Sequence, residues 1–302
     1  MTHNFDEGPT APERSLPIIR RAREYHLYDG AGRRYLDLYQ DGGRTIFGHR
    51  PGGLTTRIKN ELSRGLMMQI PHGAEQRLTR RLLRRYPQYR QAALIPAPAV
   101  PEALSELAAL VGASDECVAA PPERVRQSAR GHRYPAEAVH DPAVDPEGAM
   151  HFAALVRPFL PVPEAEVLLP VLPVPGGLAA QAVVVRCDPP GIGELFAHFP
   201  PQAPFVVRAF EHALGQVEVA EGEESAEIWD EEVVGALWAS RGPYLRFQGP
   251  SDRYHEVFRR YLEEGYIVNP EVGRPSIVPR IYSEGERKGF RRATESIAGR
   301  PA

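Results

Sequence analysis

Residues 25–38 read Tyr25-His26-Leu27-Tyr28-Asp29-Gly30-Ala31-Gly32-Arg33-Arg34-Tyr35-Leu36-Asp37-Leu38. Two runs of aromatic and branched side chains flank a Gly-rich turn, and this pattern predicts an antiparallel hairpin. Working outward, Asp41-Gly42-Gly43-Arg44 reads as a loop, and Gly48-His49-Arg50-Pro51 as a tight turn. A helix is expected from Leu54 to Gly65, with Ile58, Leu62 and Leu66 on its buried face. A second is expected from Ala74 to Tyr86, with Leu78, Leu82 and Leu83 inward and five arginines outward. Residues 1–15 read as a loose arm.

The middle of the chain has a different texture. Most of the 31 prolines lie between Pro87 and Pro204, which predicts short elements and loops there. Ala92 to Ile95 reads as a short strand, Glu102 to Val111 as an apolar helix, and residues 112–150 as mostly loop. Val167–Val174 and Ala182–Cys187 are continuous apolar runs, which suit strands covered on both faces in a mostly parallel sheet. Phe205 to Gly215 reads as a strand followed by a helix. The last third reads as an α+β unit. A helix is expected over Asp230–Ser240 and a strand over Tyr244–Phe247. An amphipathic helix over Arg253–Glu264 ends at Gly265, and a strand over Tyr266–Val268 stops at Asn269-Pro270. Ser283 with Glu286 three positions later is a capping box opening a final helix.

Composition narrows the function. At 42% hydrophobic and 25% charged residues the chain has the balance of an ordinary soluble globular protein. A net charge of −3 gives no electrostatic reason to expect nucleic acid as a partner. No stretch approaches the ~20 uninterrupted apolar residues that cross a bilayer, and the first residues lack a secretory pattern, so a cytoplasmic location and no membrane partner are expected. Cys117 and Cys187 are too few for a disulfide framework or a zinc site, and no metal site is expected. Gly-x-Ser-x-Gly, His-Glu-x-x-His, Walker A and Cys-x-x-Cys patterns are all missing, and Gly191-Ile192-Gly193-Glu194 is too short for a dinucleotide fingerprint.

The two ends of the chain resemble the class III aminotransferases. In the N-terminal segment the matching residues are Tyr28, Asp29, Gly32, Tyr35, Leu36 and Asp37, then Gly48 and His49. Pro51 follows His49 after one residue, where the family more often has two. Residues 253–297 resemble the family's end, with an amphipathic helix, Gly265-Tyr266-Ile267-Val268, Pro270, and the Ser283, Gly285, Glu286 helix start in order. The resemblance implies an α/β fold of the pyridoxal-phosphate-dependent transferase type. Its large domain, with a mostly parallel sheet, is here expected to be reduced, and its small α+β domain to come from both chain ends. The implied division is an arm and part of the small domain in 1–75, the reduced large domain in 76–225, and the rest of the small domain in 226–302. A homodimer is implied as well.

Pyridoxal-phosphate chemistry requires a lysine amine for the Schiff base, a carboxylate opposite the pyridine nitrogen, and backbone N–H groups at a helix start for the phosphate. The chain has only two lysines, Lys59 and Lys288, against 34 arginines, and none between residues 60 and 287 where the family's lysine is expected. Arginine stays protonated and cannot replace it as a nucleophile. The family's Ser-Gly-Ser-Glu-Ala phosphate turn would fall at Ala99-Val100-Pro101-Glu102-Ala103, where Glu102 and Ala103 match but the donors do not. The resemblance leaves Asp188, after a buried strand, and Tyr134, beside His132, as candidate cofactor contacts. Gln40, Arg44 and His49, after the first hairpin, are the candidate substrate contacts, Arg44 as a bidentate carboxylate holder. No catalytic residue is assigned, and pyridoxal phosphate is implied by the resemblance alone. The expected function is a catalytically degenerate relative that binds a small metabolite or a protein partner. The alternative is an active aminotransferase or aminomutase with unusual cofactor binding.

Overall fold

A computed structural model describes residues 16–112, 139–145, 151–222, 229 and 231–299. In chain order the strands are β1 (Ile19–Arg23), β2 (His26–Asp29), β3 (Arg34–Asp37), β4 (Gln91–Pro96), β5 (His151–Val156), β6 (Ala165–Pro170), β7 (Ala180–Val185), β8 (Trp238–Arg241), β9 (Tyr244–Phe247), β10 (Tyr266–Ile267) and β11 (Ser276–Ile277). The helices are α1 (Leu54–Ser63), α2 (Gly73–Arg85), α3 (Val100–Gly112), α4 (Ile192–His198), α5 (Pro204–Gly222), α6 (Glu231–Val234), α7 (Tyr254–Glu263) and α8 (Glu284–Ala298). They form two compact units. One joins both chain ends with Ile46–Arg50, and the other takes Gly43–Thr45 and the middle from Pro51. The small unit therefore does not extend to residue 75: α1 and α2 belong with the middle, where both pack on α5.

In the first unit the predicted hairpin is present. Asp29 Oδ1 accepts the backbone N–H of Ala31 and of Arg33, both at 2.9 Å, and Gly32 takes a φ of 82°. An aspartate closing its own turn is what places β2 and β3 side by side. β3 then pairs in parallel with β10, Leu36 opposite Tyr266 and Asp37 opposite Ile267. This pairing ties the two ends of the chain into one sheet, in the order β1-β2-β3-β10. A second sheet runs β11-β9-β8. The helix expected over 230–240 is replaced by the short α6 and then β8. Arg241 opposes Tyr244 across Gly242-Pro243, a two-residue hairpin turn with Gly242 at a φ of 53°.

Helices α7 and α8 cover these strands with an aromatic core that includes Trp238, Tyr254, Phe258, Tyr261 and Phe290. Thr294 donates to the Phe290 carbonyl, so Tyr261 donates to Thr294 Oγ1 (2.6 Å) while accepting from Trp238 Nε1 (2.9 Å). The Thr294 and Tyr261 hydroxyls are thereby both satisfied, and burial pushes the Tyr261 phenol up to about 12. The capping box is also present: Ser283 Oγ accepts from the Glu286 N–H and Glu286 accepts from the Ser283 N–H.

The second unit holds a sheet in the order β4-β7-β6-β5. Only β5 and β6 run parallel; β4/β7 and β6/β7 are antiparallel, so the expected mostly parallel sheet is corrected for the described strands. Continuous apolar runs report coverage of both faces rather than strand direction, and β6 and β7 are indeed buried along their whole lengths. β5 was not anticipated, nor was β11. One face of the sheet packs on α3 and α4 through residues such as Val167, Val183, Leu107 and Leu195. Phe205 begins no strand. Pro204 opens α5 at its first position, where its missing N–H costs no hydrogen bond, and Val206 and Val207 are buried within the helix.

Helix α1 forms as expected but turns a different face inward. Leu54 and Glu61 are its buried residues, whereas Leu62 is exposed. Glu61 Oε1 takes the Arg208 guanidinium of α5 at 3.3 Å, so an ion pair rather than the leucine stripe sets the helix rotation. Arginines of α2 meet glutamates of α5 along their length, Arg77 with Glu211, Arg81 with Glu218 and Arg85 with Glu221.

Candidate functional site

The end of β3 gathers the most constrained polar groups of the first unit. Asp37 is 1% exposed, and its Oδ1 accepts the N–H of Tyr39 and of Gln40, both at 2.9 Å. Its Oδ2 lies 2.9 Å from His49 Nε2. With Asp37 as an ionised acceptor, Nε2 carries the proton and Nδ1 is the imidazole's remaining acceptor. His49 is held from behind, because its N–H donates to the Glu24 carbonyl at 2.8 Å. Gly48 precedes it at a φ of 84°, and a Cβ there would sit 3.1 Å from that same carbonyl oxygen, so the approach requires glycine.

The chain then leaves β3 through four successive residues of positive φ: Gln40 (46°), Asp41 (47°), Gly42 (65°) and Gly43 (111°). Left-handed backbone at a glutamine and an aspartate stores on the order of 1–3 kcal/mol each and persists only where the surroundings fix it. Here the fixing groups are visible. Gln40 is completely buried, and its Nε2 donates to the Ile277 carbonyl (3.0 Å) and the Asp37 carbonyl (3.3 Å). Its Oε1 has no partner among the described residues. A buried acceptor in that state calls for a donor from water or a ligand.

Of the residues singled out from the sequence, Gln40 and His49 thus lie on either side of Asp37. Arg44, in the other unit, is half-buried and makes no ion pair among the described residues. Asp188 is exposed and accepts from Gln91 Nε2 at 2.8 Å, which ties the end of β7 to β4. Tyr134 and His132 lie outside the described residues, as does the loose arm of residues 1–15. Asp37 itself was assigned no role from the sequence. Its signal was an aspartate closing a buried strand with a histidine twelve positions on.

Lys59 is exposed on α1, and Lys288 is exposed on α8, 3.8 Å from Glu284. At the start of α3, Val100 is fully buried in the core and Pro101 has no N–H to offer. Among the described residues no group of three or more metal-ligating side chains occurs and no helix is long and apolar enough to cross a membrane.

A separate open groove of about 620 Å³ in the first unit is lined by Arg34, Tyr266, Glu286 and Arg292 among others. Burial pushes the Glu286 carboxyl up, but the Ser283 N–H, His26 and the Ser283 hydroxyl outweigh it and hold the group below the usual glutamate range. A depressed folded-state value means the stabilisation is present above the unfolded glutamate range and is lost as pH falls through the folded value. Melting temperature is therefore expected to drop on acidification below the ordinary glutamate range, and Glu286→Gln is expected to flatten that part of the profile.

No family model matches the chain. A protein of uncharacterised function from Borreliella burgdorferi is 51% identical over 57 residues, covering 19% of this chain and 21% of that protein. One from Treponema pallidum is 25% identical over 310 residues, covering 87% of this chain and 89% of its own length. A glutamate-1-semialdehyde 2,1-aminomutase from Thermus thermophilus is 32% identical over 71 residues, 24% of this chain and 17% of the enzyme. The chain thus spans only about a fifth of the first of these relatives in the matched region. Among solved structures, an omega-transaminase from Sphaerobacter thermophilus superposes with a TM-score of 0.61 at 14% identity, covering 94% of this chain and 92% of the other. N-acetylornithine aminotransferase from Stenotrophomonas maltophilia gives 0.60 at 15% identity, covering 94% and 97%. The fold is that of the pyridoxal-phosphate-dependent transferases, in the form seen in class III aminotransferases.

Proposed function

We propose that this chain is a catalytically degenerate relative of the class III aminotransferases that binds a small metabolite at the turn following β3, through Gln40 and His49. The observation that carries the first half is the lysine distribution. A Schiff-base lysine must lie in an enclosed site where its amine is desolvated and aimed at the cofactor, whereas both lysines of this chain are exposed on helix surfaces. The start of α3 adds to it, since Val100 and Pro101 fall where the resemblance puts the glycine and the second serine of the family's phosphate turn. The residues present do not fit covalently held pyridoxal phosphate, and no chemical step is derived through it.

The second half rests on the polar turn. Gln40 Oε1 is a buried acceptor without a partner among the described residues, and the buried Asp37 carboxylate holds both the Gln40 backbone N–H and the His49 ring beside it. Binding of the metabolite as a homodimer, as the resemblance implies, belongs to the same proposal.

Incubation with pyridoxal phosphate followed by absorbance spectroscopy tests it. The expected result is the spectrum of free cofactor with no internal-aldimine band, and no turnover of amino donors. Turnover that survives Lys59→Ala and Lys288→Ala would instead establish noncovalent catalysis and overturn the proposal.

A further inference from the structure

Open α/β sheets place their ligands outside the carboxyl ends of their strands. In the second unit that edge is formed by the parallel pair β5 and β6, and by His140, which bridges Ala154 in the same sense. β4 ends there too, because β4 and β6 are both antiparallel to the β7 between them. The residues leaving these ends are Ala97, Asp141, Arg157 and Val171. Two of them are charged, and they are turned on each other. The last carbonyl of β6, at Pro170, accepts Gln181 Nε2 at 2.9 Å, and the Val171 N–H returns to the Val156 carbonyl at 2.8 Å. Leu172 and Val174, which follow, are buried.

A phosphorylated pyridine asks two things of such an edge: N–H donors for the phosphate and a carboxylate for the ring nitrogen. The start of α3 is buried at Val100 and has no N–H at Pro101. The carboxylate at the strand ends is Asp141, and it is engaged. Its Oδ1 accepts from Arg157 Nε at 2.6 Å and from the Ala143 N–H at 3.1 Å, while Oδ2 accepts from Arg157 Nη2 at 2.6 Å. Three of the about four lone-pair sites of a carboxylate are thus filled. A ring nitrogen reaching Asp141 would have to displace a guanidinium that is 3% exposed. A buried ion pair is often no more stabilising than apolar side chains of the same volume, so stability alone does not account for it. Its geometry is that of an arginine fork holding a carboxylate ligand.

We propose that Asp141 is an internal ligand: its carboxylate fills an anion site made by Arg157 at the carboxyl edge of the sheet, and the edge thereby has no place for pyridoxal phosphate even as a noncovalent ligand. The proposal rests on the degenerate reading above and extends it from the missing lysine to binding itself.

Pyridoxine phosphate tests this apart from the lysines, because it lacks the aldehyde that labels an amine. It is titrated into the intact protein and followed at the Arg157 Nε–H resonance, assigned with Arg157→Met; no shift is expected. Asp141→Ala is expected to empty the anion site. Acetate at constant ionic strength should then raise that variant's melting temperature saturably, leave the wild type unchanged, and do nothing once Arg157→Met is added. A saturable shift of the Arg157 resonance, or a folded Asp141→Ala that acetate does not stabilise, would overturn the proposal. If that variant does not fold, the wild-type titration decides alone. A borohydride-reducible lysine adduct with pyridoxal phosphate, together with an unmoved Arg157 resonance, would sink the lysine reading and leave the filled edge standing.

Discussion

Replacing Asp37 with alanine is expected to destabilise the protein by about 3 kcal/mol, because it strands three donors at once in a buried place. The Tyr39 and Gln40 N–H groups and His49 Nε2 all lose their acceptor. Gln40 and Asp41 would then hold left-handed backbone without the carboxylate that fixes the turn's start. Asp37→Asn is expected to cost less. Its Oδ1 can still accept both N–H groups, and its amide can donate to Nε2 once the imidazole changes tautomer. Urea denaturation of the two variants measures the difference, and equal midpoints for wild type and Asp37→Ala would refute the role given to this carboxylate. The same variant is expected to abolish metabolite binding at the turn, since His49 loses the bond that orients its ring.

An equally large effect is expected in the other unit at Asp141 and Arg157. Arg157 Nε donates to Asp141 Oδ1 and Nη2 to Oδ2, both at 2.6 Å, and Oδ1 also accepts the Ala143 N–H at 3.1 Å. The two side chains are 9% and 3% exposed, and the arginine stands just beyond the end of β5. Removing one member of such a buried pair takes a bidentate, charge-assisted partner from the other, a loss that costs about 3–5 kcal/mol. Asp141→Ala is therefore expected to lower the denaturation midpoint strongly. The double change Asp141→Leu with Arg157→Met is expected to recover much of the loss, because it removes both desolvated charges together. A double variant as unstable as Asp141→Ala would mean that packing rather than charge sets the cost.

The parts of the fold that were legible in the sequence are those whose signals are local. The Asp29 turn, the Gly265 helix end and the Ser283 capping box each depend on a few neighbouring residues, and each forms as read. The misread parts depend on partners distant in sequence. α1 turns by about one position because Glu61 meets Arg208, a residue on another helix far along the chain. Val206 and Val207 are β-branched, yet they form helix because α5 buries them against its neighbours. Strand direction in β4, β6 and β7 was not encoded in their apolar runs at all. At the candidate site, Gln40 and His49 were recognisable through the family pattern. The residue that organises them, Asp37, needed the geometry.

The central claim is that a pyridoxal-phosphate-transferase fold is present here without the lysine chemistry that normally accompanies it. Borohydride reduction after incubation with pyridoxal phosphate, followed by peptide mapping, tests this most directly. The account predicts at most slow, non-stoichiometric labelling shared by the exposed Lys59 and Lys288, as for any surface amine. A rapid, stoichiometric phosphopyridoxyl adduct at a single lysine would contradict it.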